Sequence, residues 1–222
     1  MLEAVDLYCE RTSPDFWAEP VNALTNVFFL LAAWYGWRRA RAIGAGSPGV
    51  WLLLALLCAI AAGSFLFHTF AAKWSIWTDV LPILVFQLVY LWLYCREIAR
   101  TRATVTIGFV VVYFIVAIYS RQFPEILNGS LMYAPAMVVL LVLGTYHLAT
   151  RRIERYVLLG ATGVLVFSLA SRTLDQAVCP YFPLGSHFMW HVCNALVLYL
   201  LLRGLLANRG PAIPALRRPR TA

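Results

Sequence analysis

Seven long apolar runs, at 20–37, 49–70, 76–95, 104–120, 131–149, 156–173 and 185–206, constrain this chain more than any other feature. Each is close to the roughly 20 residues that an α-helix needs to cross the hydrocarbon core of a bilayer. Backbone polar groups in lipid must be satisfied within their own segment, so runs of this kind resolve as helices. The intervals between them are too short to hold a separate soluble core, and only 13% of the 222 residues are charged. The expected architecture is an all-α membrane protein: a seven-transmembrane helix bundle over 1–207. A Pro- and Arg-rich tail at 208–222 follows and is expected to be disordered. The opening MLEAVDLYCE is acidic and lacks the basic and apolar regions of a signal peptide, so the first run is expected to direct its own insertion.

The net charge of +8 is a topology signal and not a nucleic-acid footprint. One set of loops carries Arg38, Arg39, Arg41, Arg96, Arg100, Arg102, Arg151, Arg152, Arg155, Arg203, Arg209, Arg217, Arg218 and Arg220. The other set carries Arg11, Lys73, Arg121 and Arg172, together with the acidic residues Glu3, Asp6, Glu10, Asp15 and Glu19. The positive-inside rule then places the C-terminus in the cytoplasm and the N-terminus outside. An odd number of crossings gives the same answer. No nucleic-acid motif is present, and the expected partner is the lipid bilayer. The compact loops lean towards a bacterial inner membrane, with the polar groups near its outer, periplasmic face.

Polar residues converge at one depth. Ser64 and His68 lie in the outer third of the second run, and Asp79 opens the third from the same side. His187 and His191 open the seventh, and Glu19, Asn22 and Asn26 open the first. His187 and His191 are spaced i, i+4 and so share one helix face, as do Ser64 and His68. A pair of imidazoles at this spacing can hold one metal ion, and His68 can supply a third. Three His plus water is the open arrangement of catalytic zinc, although imidazole also suits copper, iron and nickel. Ionisable groups inside a membrane are functional by default. The bland readings are packing or helix–helix hydrogen bonds for a single His, which is the reading for His147, and a back-bonded hydroxyl for Ser64.

These residues carry a family resemblance. YCER (8–11), EPVNALTN (19–26), GSFLFHTF (63–70), Trp77, Asp79 and HFMWHVCNALVLY (187–199) make the chain similar to the alkaline ceramidases, seven-span membrane amidases related to the adiponectin-receptor-like proteins. The resemblance implies a zinc-dependent intramembrane hydrolase. It would cleave the amide of a ceramide-like lipid to a sphingoid base and a free fatty acid. His68, His187 and His191 would bind zinc, and Ser64 and Asp79 would be catalytic. It also implies a second ion, calcium, for which Glu10, Glu19 and Asp6 are the matching residues. There the chain departs from the family pattern. It reads Leu7-Tyr8-Cys9-Glu10-Arg11-Thr12 where eukaryotic members read Asp-Trp-Cys-Glu-x-Asn, and the spacing from Glu10 to Glu19 is shorter.

In that chemistry Asp79 would act as general base and Ser64 as a donor to the developing oxyanion. No G-x-S-x-G elbow marks Ser64 as a nucleophile. Cys9 and Cys179 fall on the outer side and are expected to form a disulfide, the alternative being two free thiols. Other function classes stand beside this one. They are a seven-span receptor or sensor with a structural metal site, a haem-binding electron carrier, and a proton-coupled transporter.

Overall fold

The computed structural model describes residues 3–209 and is all-helical. Eight α-helical segments run in chain order: α1 (Pro20–Thr25), α2 (Val27–Ala42), α3 (Pro48–Phe70), α4 (Lys73–Leu93), α5 (Ala103–Ser120), α6 (Ala134–Ala149), α7 (Val157–Val178) and α8 (His187–Ala207). A π-helical turn, Tyr94–Ile98, extends α4, and a 3₁₀ turn, Ser130–Tyr133, leads into α6. Consecutive helices from α2 to α8 are neighbours, and α2 packing on α8 closes the ring. α1 wedges against α3 and α8. From residue 210 on, the expected tail lies outside the described residues.

Six of these helices, α3 to α8 with their flanking turns, are long and apolar enough to cross a membrane. The chain is therefore a multi-pass integral membrane protein. The first expected span differs from a simple helix. It is interrupted at Asn26, leaving a six-residue α1 and a sixteen-residue α2. Asn26 turns its side-chain amide back onto the carbonyls of Asn22 and Ala23, which competes with a regular helical ladder. The core is a continuous apolar cluster that includes Leu53, Leu57, Phe86, Leu158, Leu202 and Leu205. Around it the bundle turns large apolar side chains outward, among them Phe109, Val112 and Ile115 on α5, as a helix facing lipid requires.

The α3–α4 hairpin brings Asp79 towards Ser64. Ser47 accepts from Val50 N and Pro48 occupies the first turn, so α3 starts sharply. It ends at Ala71, which adopts a left-handed conformation with φ 42°. Further on, Pro82 lies inside α4. A proline has no N–H to give the carbonyl four residues earlier, so Thr78 O loses its helical donor. Gly63 of α3 packs against that carbonyl, where a Cβ would sit 1.8 Å from the oxygen. Thr78 Oγ1 donates to Gly63 O at 3.1 Å in return. Glycine is needed here because the two backbones meet.

Candidate metal centre

His68 from the end of α3 and His187 and His191 from the first turns of α8 come together in the buried interior. One ring nitrogen from each lies within 4.8 Å of the other two. The rest of the wiring tests whether a metal ion fits. His68 Nδ1 is 2.6 Å from Glu19 Oε2, so a proton on Nδ1 is donated to the carboxylate and Nε2 keeps its lone pair. His191 Nδ1 is 2.9 Å from Thr25 Oγ1, whose own hydrogen is directed at Val21 O, 2.8 Å away. The Thr25 oxygen is thus left to accept from His191. His187 Nδ1 is buried and has no hydrogen-bond partner among the described residues. Three imidazoles with converging lone pairs and one orphaned ring nitrogen fit a divalent ion such as zinc.

Segments distant in sequence hold these histidines. The Tyr8 ring stacks on His187 with centroids 3.5 Å apart. Burial pushes the Tyr8 hydroxyl up to about 12, so it remains a neutral phenol. Asp175, fully buried in α7, accepts from Ser186 N and His187 N through Oδ1 at 2.7 and 2.8 Å, and from Cys9 N through Oδ2 at 2.9 Å. One carboxylate therefore caps the start of α8 and pins the N-terminal segment beside it. Gly185, with φ 63°, makes room: a Cβ there would lie 2.2 Å from Asp175 Oδ1. The expected disulfide is present and joins Cys9 to Cys179.

Ser64 is buried one turn before His68, and its hydroxyl sits beside the carboxyl of Asp79. Asp79 opens onto a cavity of about 260 Å³ shared with Tyr8, Tyr133, Arg121 and Arg172. Arg172, expected among the loop cations, is instead buried within α7. It donates to Asn128 O and Ser130 Oγ, and its guanidinium lies over the rings of Tyr8, Tyr133 and Trp190. Tyr133 also lines a second, apolar cavity with Ile83, Phe86, Trp190 and Asn194.

The calcium expectation finds no support. Asp6 is exposed, and the three acids form no metal-ligand group among the described residues. Both Glu10 oxygens accept backbone N–H groups at the start of α1, from Val21 at 2.7 Å and Asn22 at 2.8 Å. Glu19 accepts from Arg11 Nε at 2.5 Å on one oxygen and meets His68 on the other. The carboxylates are spent on donors, and a hard cation would find too few free oxygens. Glu19 instead belongs to the histidine cluster.

His147 is as expected. It is fully buried, with Nδ1 on the Tyr94 hydroxyl at 2.8 Å and Nε2 on Ile153 O at 3.1 Å. Sequence reasoning did not find Tyr8, Arg11, Thr25, Arg172 or Asp175. Asp175 lies two residues beyond the sixth apolar run as read from the sequence, and only the extension of α7 to Val178 brings it into a buried helix. A sequence model of the Ceramidase family matches residues 7–209. A search of curated proteins found no match.

Proposed function

Because this chain belongs to the ceramidase family, whose members are amidohydrolases acting on the ceramide amide bond, we propose that it is a zinc-dependent intramembrane hydrolase. It releases a sphingoid base and a free fatty acid from a ceramide-like lipid. The observation that carries the reading is the buried cluster of His68, His187 and His191, which groups three ligand nitrogens and no fourth His, Cys or carboxylate ligand among the described residues. A structural zinc is closed by four protein ligands, whereas a catalytic one keeps a position free. That contrast favours hydrolysis over a receptor with a structural metal.

His68, His187 and His191 would hold the zinc, which would supply a Lewis acid for the amide carbonyl and lower the pKa of bound water towards neutrality. Asp79 accepts the proton of the attacking water and returns it to the leaving amine. The Ser64 hydroxyl donates to the oxygen on which negative charge develops. Glu19 and Thr25 keep His68 and His191 in the tautomer that leaves Nε2 unprotonated. The polar cavity at Asp79 receives the head of the lipid, and the apolar cavity behind Tyr133 receives an acyl chain. If the broken α1–α2 pair makes a seventh crossing beside the six long helices, the termini lie on opposite sides, and the N-terminus-outside orientation that the arginine asymmetry favours sets this site near the outer face.

The test separates the carboxylate from the metal. Asp79→Asn is expected to keep its zinc and lose about 100- to 10,000-fold in fatty-acid release from ceramide, the usual range for a positioned acid–base group. A variant with zinc and near-wild-type turnover would remove Asp79 from the mechanism.

A further inference from the structure

Arg11 is buried, with its side chain only 4% exposed, in a segment where a bound cation was expected. Its guanidinium is surrounded by oxygens. Nε donates to Glu19 Oε1 at 2.5 Å, and Nη1 to Ser13 O at 3.1 Å and Asp15 O at 3.3 Å. Nη2 donates to His68 O at 2.9 Å. One carboxylate and three backbone carbonyls, drawn from the 11–15 loop, the entrance to α1 and the end of α3, are the kind of donor set that a hard divalent cation takes. They cannot hold such an ion while the guanidinium lies among them.

We propose that the Arg11 guanidinium is a built-in cation that replaces a bound divalent ion at this site. Through Glu19 it holds His68 in its ligating orientation. Three features support the role. The planar fork of arginine satisfies several acceptors at fixed angles, which a lysine point charge cannot do. His68 O lies in the last turn of α3, where carbonyls lack intrahelical donors and the helix dipole favours positive charge. Finally, Glu19 divides its two oxygens between Arg11 and His68, so it cannot turn away from the ring without breaking a buried ion pair. Arg11 acts as a positioning residue. The role at His68 rests on the metal-ligand assignment above, whereas the cation replacement is read by calcium binding alone.

The test uses detergent-purified wild type, Arg11→Ala and Arg11→Lys in calcium-stripped buffer. It reads radiolabelled-calcium binding by equilibrium dialysis, zinc by elemental analysis, and amidase activity. Wild type is expected to bind no stoichiometric calcium and to show activity indifferent to added calcium. Arg11→Ala empties an oxygen-lined hole. It is expected to lose about 10- to 100-fold in activity or zinc affinity, the usual cost of removing support from a metal ligand. It should then gain a calcium site and recover with calcium or free guanidinium. Arg11→Lys is expected to fall between the two. One calcium bound per wild-type chain would overturn the proposal. So would an Arg11→Ala protein that elutes as wild type and is either fully active without any added cation or restored by neither one. If Arg11→Ala does not fold, the wild-type calcium measurement decides. None of the calcium readings depends on ceramide being the substrate.

Discussion

His147 and the cluster of His68, His187 and His191 are imidazoles buried to the same degree in one bundle, yet their wiring differs. Both ring nitrogens of His147 are used: one meets the Tyr94 hydroxyl and the other a backbone carbonyl. The ring is a bridge between α6 and the π-helical turn after α4, and nothing is left over. In the cluster, His68 and His191 each use only Nδ1, on Glu19 and Thr25, while His187 Nδ1 has no partner among the described residues. Burial does not distinguish a structural histidine from a ligand. The unspent nitrogens do, because an orphaned lone pair in an apolar interior is costly unless something arrives to use it.

The comparison can be broken most forcefully at Glu19. Replacing it with Gln keeps the size and removes the charge that fixes the His68 tautomer. The expected loss is about 10- to 100-fold in zinc affinity or activity. Zinc titration with fatty-acid release checks it, and an unchanged affinity would detach Glu19 from the site. At His147 the opposite pattern is expected. His147→Phe leaves the buried Tyr94 hydroxyl without its partner, at about 1–3 kcal/mol of stability. Zinc content and turnover should stay as in wild type. Thermal unfolding in detergent beside a zinc assay separates the two, and lost zinc would make His147 part of the centre.

The smallest effect is on pH. The Tyr8 hydroxyl is raised above its ordinary value to about 12. Its contribution to stability is therefore full below the unfolded value near 10 and falls away as pH climbs towards 12. Unfolding curves measured between those limits should show wild type losing stability more steeply than Tyr8→Phe, by roughly 1 kcal/mol at the midpoint. Parallel curves would mean that the phenol is not held neutral beside His187.

The sequence announced the parts of this site that local periodicity can carry. Helices α3 to α8 follow the apolar runs closely, and the i, i+4 spacing of His187 and His191 placed both on one face of α8. His68, Ser64 and Asp79 were legible because polar groups stand out in lipid-facing sequence. What supports them was not. Asp175 accepts from Cys9 N across 166 positions, and Arg11 reaches His68 O across 57. No local pattern encodes such pairs. Glu19 was read as a calcium ligand because an acid at a span entrance suits either role, and only the position of His68 beside it decides. The break at Asn26 was hidden because the apolar run continues through it. Arg172 was counted with the loop cations because α7 was expected to end at 173, and it runs on to Val178.

The central claim is that the three histidines with unspent nitrogens hold the ion that does the work. The direct test is elemental analysis of detergent-purified wild type and His187→Ala, with fatty-acid release from a panel of ceramides measured on the same samples. The account predicts one zinc per wild-type chain with amidase activity. In the variant it predicts loss of the metal together with a fall in turnover of roughly a thousandfold or more, since a Lewis acid contributes several kcal/mol. Wild-type protein that cleaves ceramide without bound metal, or a His187→Ala variant that keeps both zinc and activity, would contradict it.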